Sequence, residues 1–441
     1  MNAKLLKVLK WTAIVVICLV VVYTVLLVVS GIKLSNAYAE VKKSGRPMTI
    51  EEIIPKQVSD EDNAALLYKS AVLLLNSGGV FWKVITPEEF PGTNHDAVIK
   101  FLADKNVVTA LGLIKDAADK PAYRYDLDYT KGAGMLLPHI SAFRSIQRLL
   151  AIRAKVEAER GDYGSAWKTI MIGYKTADTL HNEPVLISQL LRIAMFEVID
   201  QVAGDLAKIS PPNDVQADAL TVVIKQFADD NTMVVAMDSE RFLMGEWAFR
   251  QPAAELAKLG DASDVPVLQL VLNYVMFCKP GRQFMHVSYL RIMNDVTNFM
   301  KSPWWEENIS TCSKIEKNIP RWDILSRLLV PHLGKCKIKH AVHMARVRVS
   351  QTAFSLMRHK LAHGKFPATL VECDAKFLPG QPVDPFSGKP LVYRQEGNGF
   401  ILYSIGANSK DDGGKPEPRG ELTAEVKEKK EWDLMWKYEG K

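Results

Sequence analysis

The sequence predicts a mainly α protein held by one N-terminal transmembrane helix, and three observations predict it. Trp11 to Ile32 is a run of 22 residues without a charge. Apolar residues then recur at i, i+3, i+4 and i+7, the spacing of one helix face, through most of 60–363. Strand-like segments with a tight turn appear only near 391–404. This divides the chain into 1–43, an anchor helix with a short tail; 44–336, a helical body of hairpins; and 337–441, a small α+β unit with an antiparallel hairpin and a charged C-terminal tail.

Composition narrows the class. A chain of 441 residues with 48% hydrophobic and 24% charged residues is ordinary for a globular protein. The net charge of +6 is spread along the chain, so no nucleic-acid partner is expected. Cys18 lies in the apolar run. Cys278, Cys312, Cys336 and Cys373 are scattered without a CxxC pair, which argues against a zinc ribbon or a thioredoxin-type site. In an oxidising compartment these four permit disulfides whose pairing the sequence does not specify.

The anchor comes first. The uncharged run is long enough to cross a hydrocarbon core of about 30 Å as a helix. Lys4, Lys7 and Lys10 precede it, and Ala37-Tyr38-Ala39 has the small-x-small pattern of a signal-peptide cleavage site. The run exceeds the roughly 7–15 residues of a signal-peptide core, so an uncleaved anchor is the expectation and cleavage after Ala39 the alternative. The three early lysines favour a cytoplasmic N-terminus, although Lys33, Lys42, Lys43 and Arg46 dilute the bias. The expected location is a bacterial inner membrane, crossed once, with the body outside the cytoplasm.

Ser44-Gly45-Arg46-Pro47 stops the anchor helix. Ser59 or Asp60 reads as the N-cap of the next helix, whose end is marked by Gly78-Gly79. Helices follow at 95–104 and 107–118. The segment Tyr123 to Tyr129, YRYDLDY, reads as a loop whose rings pack on neighbouring helices, with lining of a groove as the alternative. Pro138 suits the first turn of a helix that runs to about Arg160. Gly161-Asp162 turns the chain into a return helix, Tyr163 to Leu180. The string AKVEAERGDYGSAWKTI resembles the turn of a tetratricopeptide-type helical hairpin, without a regular repeat. The helix after Glu183-Pro184 is apolar over much of its surface and is expected to be the most buried. Two helices fill 215–250, with a break near Asp229-Asp230-Asn231. The apolar stretch Val265 to Cys278 is short for a second span. Met285 to Met300 is amphipathic, Trp304-Trp305 is an exposed-looking pair, and Asn308-Ile309-Ser310 matches a glycosylation sequon.

No catalytic constellation stands out. His340 and His343, then His359 and His363, are spaced to share a helix face. HKLAH has the i, i+4 histidines of a zinc helix without the glutamate of HExxH, and a solvated basic face is the expectation. GxSxG and a Gly-rich phosphate loop are absent.

The C-terminal quarter is the most distinctive. Gly364 reads as a C′ residue closing the helix His340 to His363. LVYR and GFILYS read as strands around Glu396-Gly397-Asn398-Gly399. AFSLMRHKLAHGKFPATL, LPGQPVDPFSGKPLVYRQ and FILYSIGANSKDDGG follow in order. They resemble the soluble domain of type II secretion major pseudopilins, which carry a helix, an N-G-x-Y-P turn, a D-P-W-G-x-P-Y-x-Y segment and a Y-S-x-G-A-D-G-x-x-G-G loop. That resemblance spans 340–414 and implies calcium in the loop. Asn408, Asp411 and Asp412 occupy it, and Asp433 matches the family's closing acidic segment. Asn408-Ser409 replaces the family's Asp-Gly, and a charged insert, Lys415 to Lys430, separates the two parts. The body at 44–336 also separates the anchor from this unit, so assembly as a pilin is not expected. The whole layout resembles uncharacterised single-anchor membrane proteins of planctomycete-type bacteria.

These readings lead to a membrane-anchored, extracytoplasmic binding or scaffold protein, associated with secretion or envelope assembly. It holds the lipid bilayer through 11–32, takes protein partners in the envelope and requires no cofactor. The alternative is an envelope hydrolase using carboxylates of the helical body.

Overall fold

The computed structural model describes residues 3–77, 95–229, 231–252, 278–307, 309–330, 333–418 and 432–439. The fold is mainly α, with a small three-stranded antiparallel sheet near the C-terminus. Gly78-Gly79, Val265 to 277, Asn308 and 419–430 of the charged insert lie outside the described residues.

Helix α1 (Ala3–Lys43) is long and apolar enough to cross a membrane. Its side chains from Val8 to Val29 are largely exposed, and burial begins abruptly at Ser30. From there α1 packs in parallel along α10 (Lys279–Lys301). Ser30 Oγ donates to Gln283 Oε1 at 2.7 Å. Ala37 and Val41 pack against Val287 and Leu290. Tyr38 OH donates to Glu246 Oε2 at 2.7 Å. The last four turns of α1 therefore pack against the body. A cut after Ala39 would remove the buried Ala37 and the Tyr38 hydrogen bond.

The body begins with α2 (Ala64–Ser77), α3 (His95–Leu102) and α4 (Lys105–Ala118). The cap of α2 is Asn63, not Ser59 or Asp60: its Oδ1 accepts from Ala65 N at 3.1 Å, while Ser59 and Asp62 bond to each other in the preceding turn. Helices α5 (His139–Glu159) and α6 (Tyr163–Asp178) form the expected hairpin, turned by Gly161 at φ +78°. Next comes α7 (Leu186–Ile209), fourteen of whose 24 residues are buried. A Cβ on Gly173 of α6 would lie 2.6 Å from Ile199 of α7, so only glycine permits this approach.

Helices α8 (Asp214–Lys225) and α9 (Asn231–Glu240) follow, and α9 runs into a π-turn at Arg241–Glu246. This bulge brings Glu246 to Tyr38. It also places Gly245 where a Cβ would meet the Tyr289 ring at 2.0 Å. His286 stacks on Phe249 at 4.3 Å. Burial, then the charges of Arg250, Arg282 and Arg241, push His286 down to about 3. Short helices α11 (Ile309–Lys317) and α12 (Ile324–Leu329) lead to α13 (Lys335–His363). Strands β1 (Val392–Glu396), β2 (Gly399–Ser404) and β3 (Leu434–Tyr438) complete the fold in the order β1-β2-β3.

One core joins residues of α2 to α8 with residues of α13 and the sheet, from Ala64 to Tyr438. Phe354 of α13 sits at its centre, with ring centroids 6.1 Å from Trp167 and 5.2 Å from Trp436. Beside it, Tyr174 OH donates to Asp200 Oδ1 at 2.7 Å and Ser350 Oγ donates to Asp200 Oδ2 at 2.8 Å. Burial pushes this carboxyl up to about 6 against those two hydrogen bonds. The node ties α6, α7 and α13 together.

The basic helix face does not exist as expected. His340, His343 and His359 are buried and only His363 is exposed, because α7, α8 and the C-terminal sheet cover α13 on several sides. Trp304 is also buried, 5.7 Å from the Phe386 ring, while Trp305 packs against Gly388. The five cysteines are free thiols.

Candidate functional site

A cavity of about 410 Å³ opens between α2, the Tyr123–Tyr129 segment and the start of α5. The segment is held extended by Asn63. Its Oδ1 accepts from Arg124 N and its Nδ2 donates to Arg124 O, both at 3.0 Å. An extended backbone alternates its side chains. Tyr123, Leu127 and Tyr129 therefore turn inward, with Tyr125 half-buried beside them.

Aromatic rings make most of the lining. Tyr68 lies 4.8 Å from Phe143, and Tyr123 meets Phe143 edge-on at 5.6 Å. Tyr125 stacks on His139 at 4.5 Å, and the Lys69 ammonium sits 4.4 Å above Tyr125 from the exposed side. The alternative reading of YRYDLDY, rings lining a groove, thus applies together with packing on helices.

Behind the rings is a buried polar node. His139 Nε2 lies 2.7 Å from Glu183 Oε1. Ser188 Oγ donates to the same oxygen. Gln189 Nε2 donates to Glu183 O at 2.6 Å and Leu180 O at 2.8 Å, fixing the turn that carries Glu183. A carboxylate that accepts from Nε2–H leaves Nδ1 of a neutral imidazole as an acceptor. His139 Nδ1 and Tyr123 OH are both buried and lack a hydrogen-bond partner among the described residues, and both side chains line the cavity. Burial, and then the charge of Glu183, raise the Tyr123 phenol well above its ordinary range, so it is a neutral donor. Serine, histidine and glutamate meet here without the wiring of a hydrolase triad. Ser188 donates to the glutamate instead of to the histidine, so the histidine is not placed as its base.

The HKLAH motif borders a second, more exposed cavity of about 460 Å³. His359 Nδ1 accepts from Asp374 N at 3.0 Å, and His363 Nε2 lies 3.2 Å from Asp374 Oδ2. One nitrogen of each ring is thus committed to the loop after α13.

The structure brings Asn408, Asp411, Asp412 and Asp433 together. Asp433 is fully buried, accepting from Asp412 N at 3.3 Å and Gly414 N at 2.7 Å. Asp411 Oδ1 accepts from Tyr403 OH at 3.0 Å and Gly413 N at 2.9 Å. Asn408 Nδ2 donates to Asp412 Oδ2 at 2.9 Å, and Asn408 Oδ1 accepts from Lys410 N at the same distance. These oxygens cap the turn on which they sit. Among the described residues no group of three or more histidine, cysteine, aspartate or glutamate side chains is placed to hold a metal ion.

Comparison with protein-family models, curated proteins and solved structures finds no match to this chain. His139 and Glu183 had no signal in the sequence: each is a single residue, and the two are separated by an entire helical hairpin.

Proposed function

We propose that this chain is a membrane-anchored binding protein whose body stands outside the cytoplasm and receives a ligand in the aromatic cavity between α2 and α5. The observation that carries the reading is the pairing of an aromatic lining with two buried, unpartnered polar atoms, His139 Nδ1 and Tyr123 OH. Binding sites are commonly apolar concavities with a few placed polar groups. The acceptor and the donor together suit one hydroxyl on an apolar body, since a hydroxyl donates once and accepts as well. An association with envelope or secretion components is supported by the pseudopilin-like motifs at 340–414.

Calorimetry with 1-naphthol and naphthalene tests the cavity on the full chain in detergent. Naphthol is expected to bind about tenfold more tightly, the worth of roughly one net hydrogen bond. Tyr123→Phe and His139→Leu should each remove that preference and leave naphthalene binding in place. Equal affinity for the two probes overturns the hydroxyl assignment, and absence of binding by both overturns the cavity as a site.

Lys4, Lys7 and Lys10 support the orientation. Proteinase K added to intact spheroplasts is expected to digest the body, and full protection until lysis would reverse the topology.

A further inference from the structure

The junction between α1 and α10 places the body directly on the membrane surface. Ser30, where burial begins, lies inside the last turn of the uncharged run that ends at Ile32. No stalk separates membrane from body. The two helices run parallel, since Ser30 meets Gln283, Tyr38 lies beside His286, and Arg46 meets Asn294 and Asn298. A helix rises about 1.5 Å per residue. Lys279 therefore sits roughly 6 Å on the membrane side of the Ser30–Gln283 contact, and Arg282 stays close to its level. Lys33 lies about 4.5 Å on the body side. The run that crosses the bilayer ends at Ile32, so Lys33 lies at the headgroup level, and Arg282 and Lys279, somewhat deeper along α10, reach it by extending their side chains toward the surface.

A cavity of about 350 Å³ opens from the body side of this level, lined along α10 from Phe284 to Asp295. Lys33, Phe284, Ser288, Arg291, Asp295 and Trp322 are among its lining residues. Lys33 Nζ lies 5.5 Å from the Phe284 ring centroid. Trp322 is more than half exposed, as suits an indole at a membrane interface. The cavity holds one acid, Asp295, whose carboxyl is raised by burial, against Lys33 and Arg291. Arg291 is itself 3.9 Å from Glu40, in an exposed pair that water screens. With Lys279 and Arg282 on the membrane side, positive charge is in excess among the described residues at this level.

We infer that Lys33, Lys279 and Arg282, with the cavity beside Trp322, form a collar that binds the phosphate headgroups of anionic phospholipids in the leaflet facing the body. The inference rests on α1 crossing a bilayer, and it is independent of the aromatic cavity. Such contacts are worth about fivefold per basic group near an anionic surface. Three of them amount to roughly a hundredfold preference for anionic over zwitterionic lipid. The collar also fixes the height and tilt of the body, because α10 is bonded to α1 on one side and to headgroups on the other.

Native mass spectrometry of the full chain, released from nanodiscs containing phosphatidylglycerol and phosphatidylcholine, tests this. Phosphatidylglycerol is expected to stay bound preferentially, and the triple variant Lys33→Gln, Lys279→Gln, Arg282→Gln should lose the preference. All three side chains reach solvent, so circular dichroism of the variant should match that of the parent. Equal retention of the two lipids by the parent chain overturns the collar, as does full preference in the triple variant. Displacement of the lipid by excess inorganic phosphate would turn the site into one for free phosphate and would also sink the proposal. Release of the chain from membranes by alkaline carbonate would instead overturn the membrane span itself.

Discussion

Replacing Phe354 with alanine is expected to lower the stability of the whole body by about 3–5 kcal/mol, in a single transition. The side chain is fully buried in α13 and touches both the helical body and the last strand. On one side Trp167 of α6 meets it edge-on, and on the other Trp436 of β3 does the same. Trp436 reaches beyond β3 to Gly204 of α7, where a Cβ would lie 3.8 Å from its ring. Truncation leaves a void bounded by two large indoles held by separate helices, so collapse around it is limited and the cost falls at the upper part of the range. Hydrogen exchange read by mass spectrometry separates the alternatives. In a single core, amides of α6, α7 and β3 lose protection together. An independently folded C-terminal unit would confine the loss to residues after 335, and that outcome would refute the single core.

The same helix shows why part of this architecture was legible and part was not. Gly364 closes α13 with φ +74°, and Gly397 turns the β1–β2 hairpin with φ +54°. Both are local events with a glycine at the point of strain, so the sequence carries them openly. The long uncharged run of α1 is equally plain, because a membrane span is a matter of composition. Burial of His340, His343 and His359 is different. Histidine is neither strongly apolar nor always charged, so its spacing leaves open which face is covered. That is decided by α7, α8 and the sheet, which arrive from distant parts of the chain. The candidate site was less legible still. YRYDLDY announces aromatic rings, but the cavity needs Asn63 to hold the segment straight and Glu183 to engage His139. Neither partnership is periodic or adjacent in sequence. The loop at Asn408–Gly414 shows the opposite case: its acidic pattern is visible, but the backbone amides that bond to Asp411 and Asp433 appear only once the turn is folded.

The junction between anchor and body depends on one buried cation, and Arg46→Ala is expected to cost about 3–5 kcal/mol. Arg46 follows the end of α1 and is almost wholly covered. Its Nη1 lies 3.2 Å from Asp238 Oδ1 of α9, its Nη2 donates to Asn298 Oδ1 at 2.8 Å, and its Nε donates to Asn294 Oδ1 at 3.3 Å. The next residue, Pro47, offers its carbonyl to Arg241 of the π-turn. Alanine would leave the buried Asp238 with only Arg241 as counter-charge and strip Asn294 and Asn298 of their donor, and the poorer pairing of that carboxylate supplies most of the cost. The sign of a second change follows directly. Asp238→Asn in the Arg46→Ala background removes the poorly paired charge and should restore a large part of the loss, whereas Asp238→Asn alone should destabilise the parent. Thermal unfolding of the four proteins in detergent gives the coupling between the two sites. Additive losses would show that the pair is not coupled and that the junction is held by α1 packing alone. A coupled pair carries a further consequence: Arg46→Ala should leave the chain in membranes, since the span is untouched, while proteases gain access near Ser44–Met48. The body would then remain tethered through the contacts of α1 with α10 that do not involve Arg46.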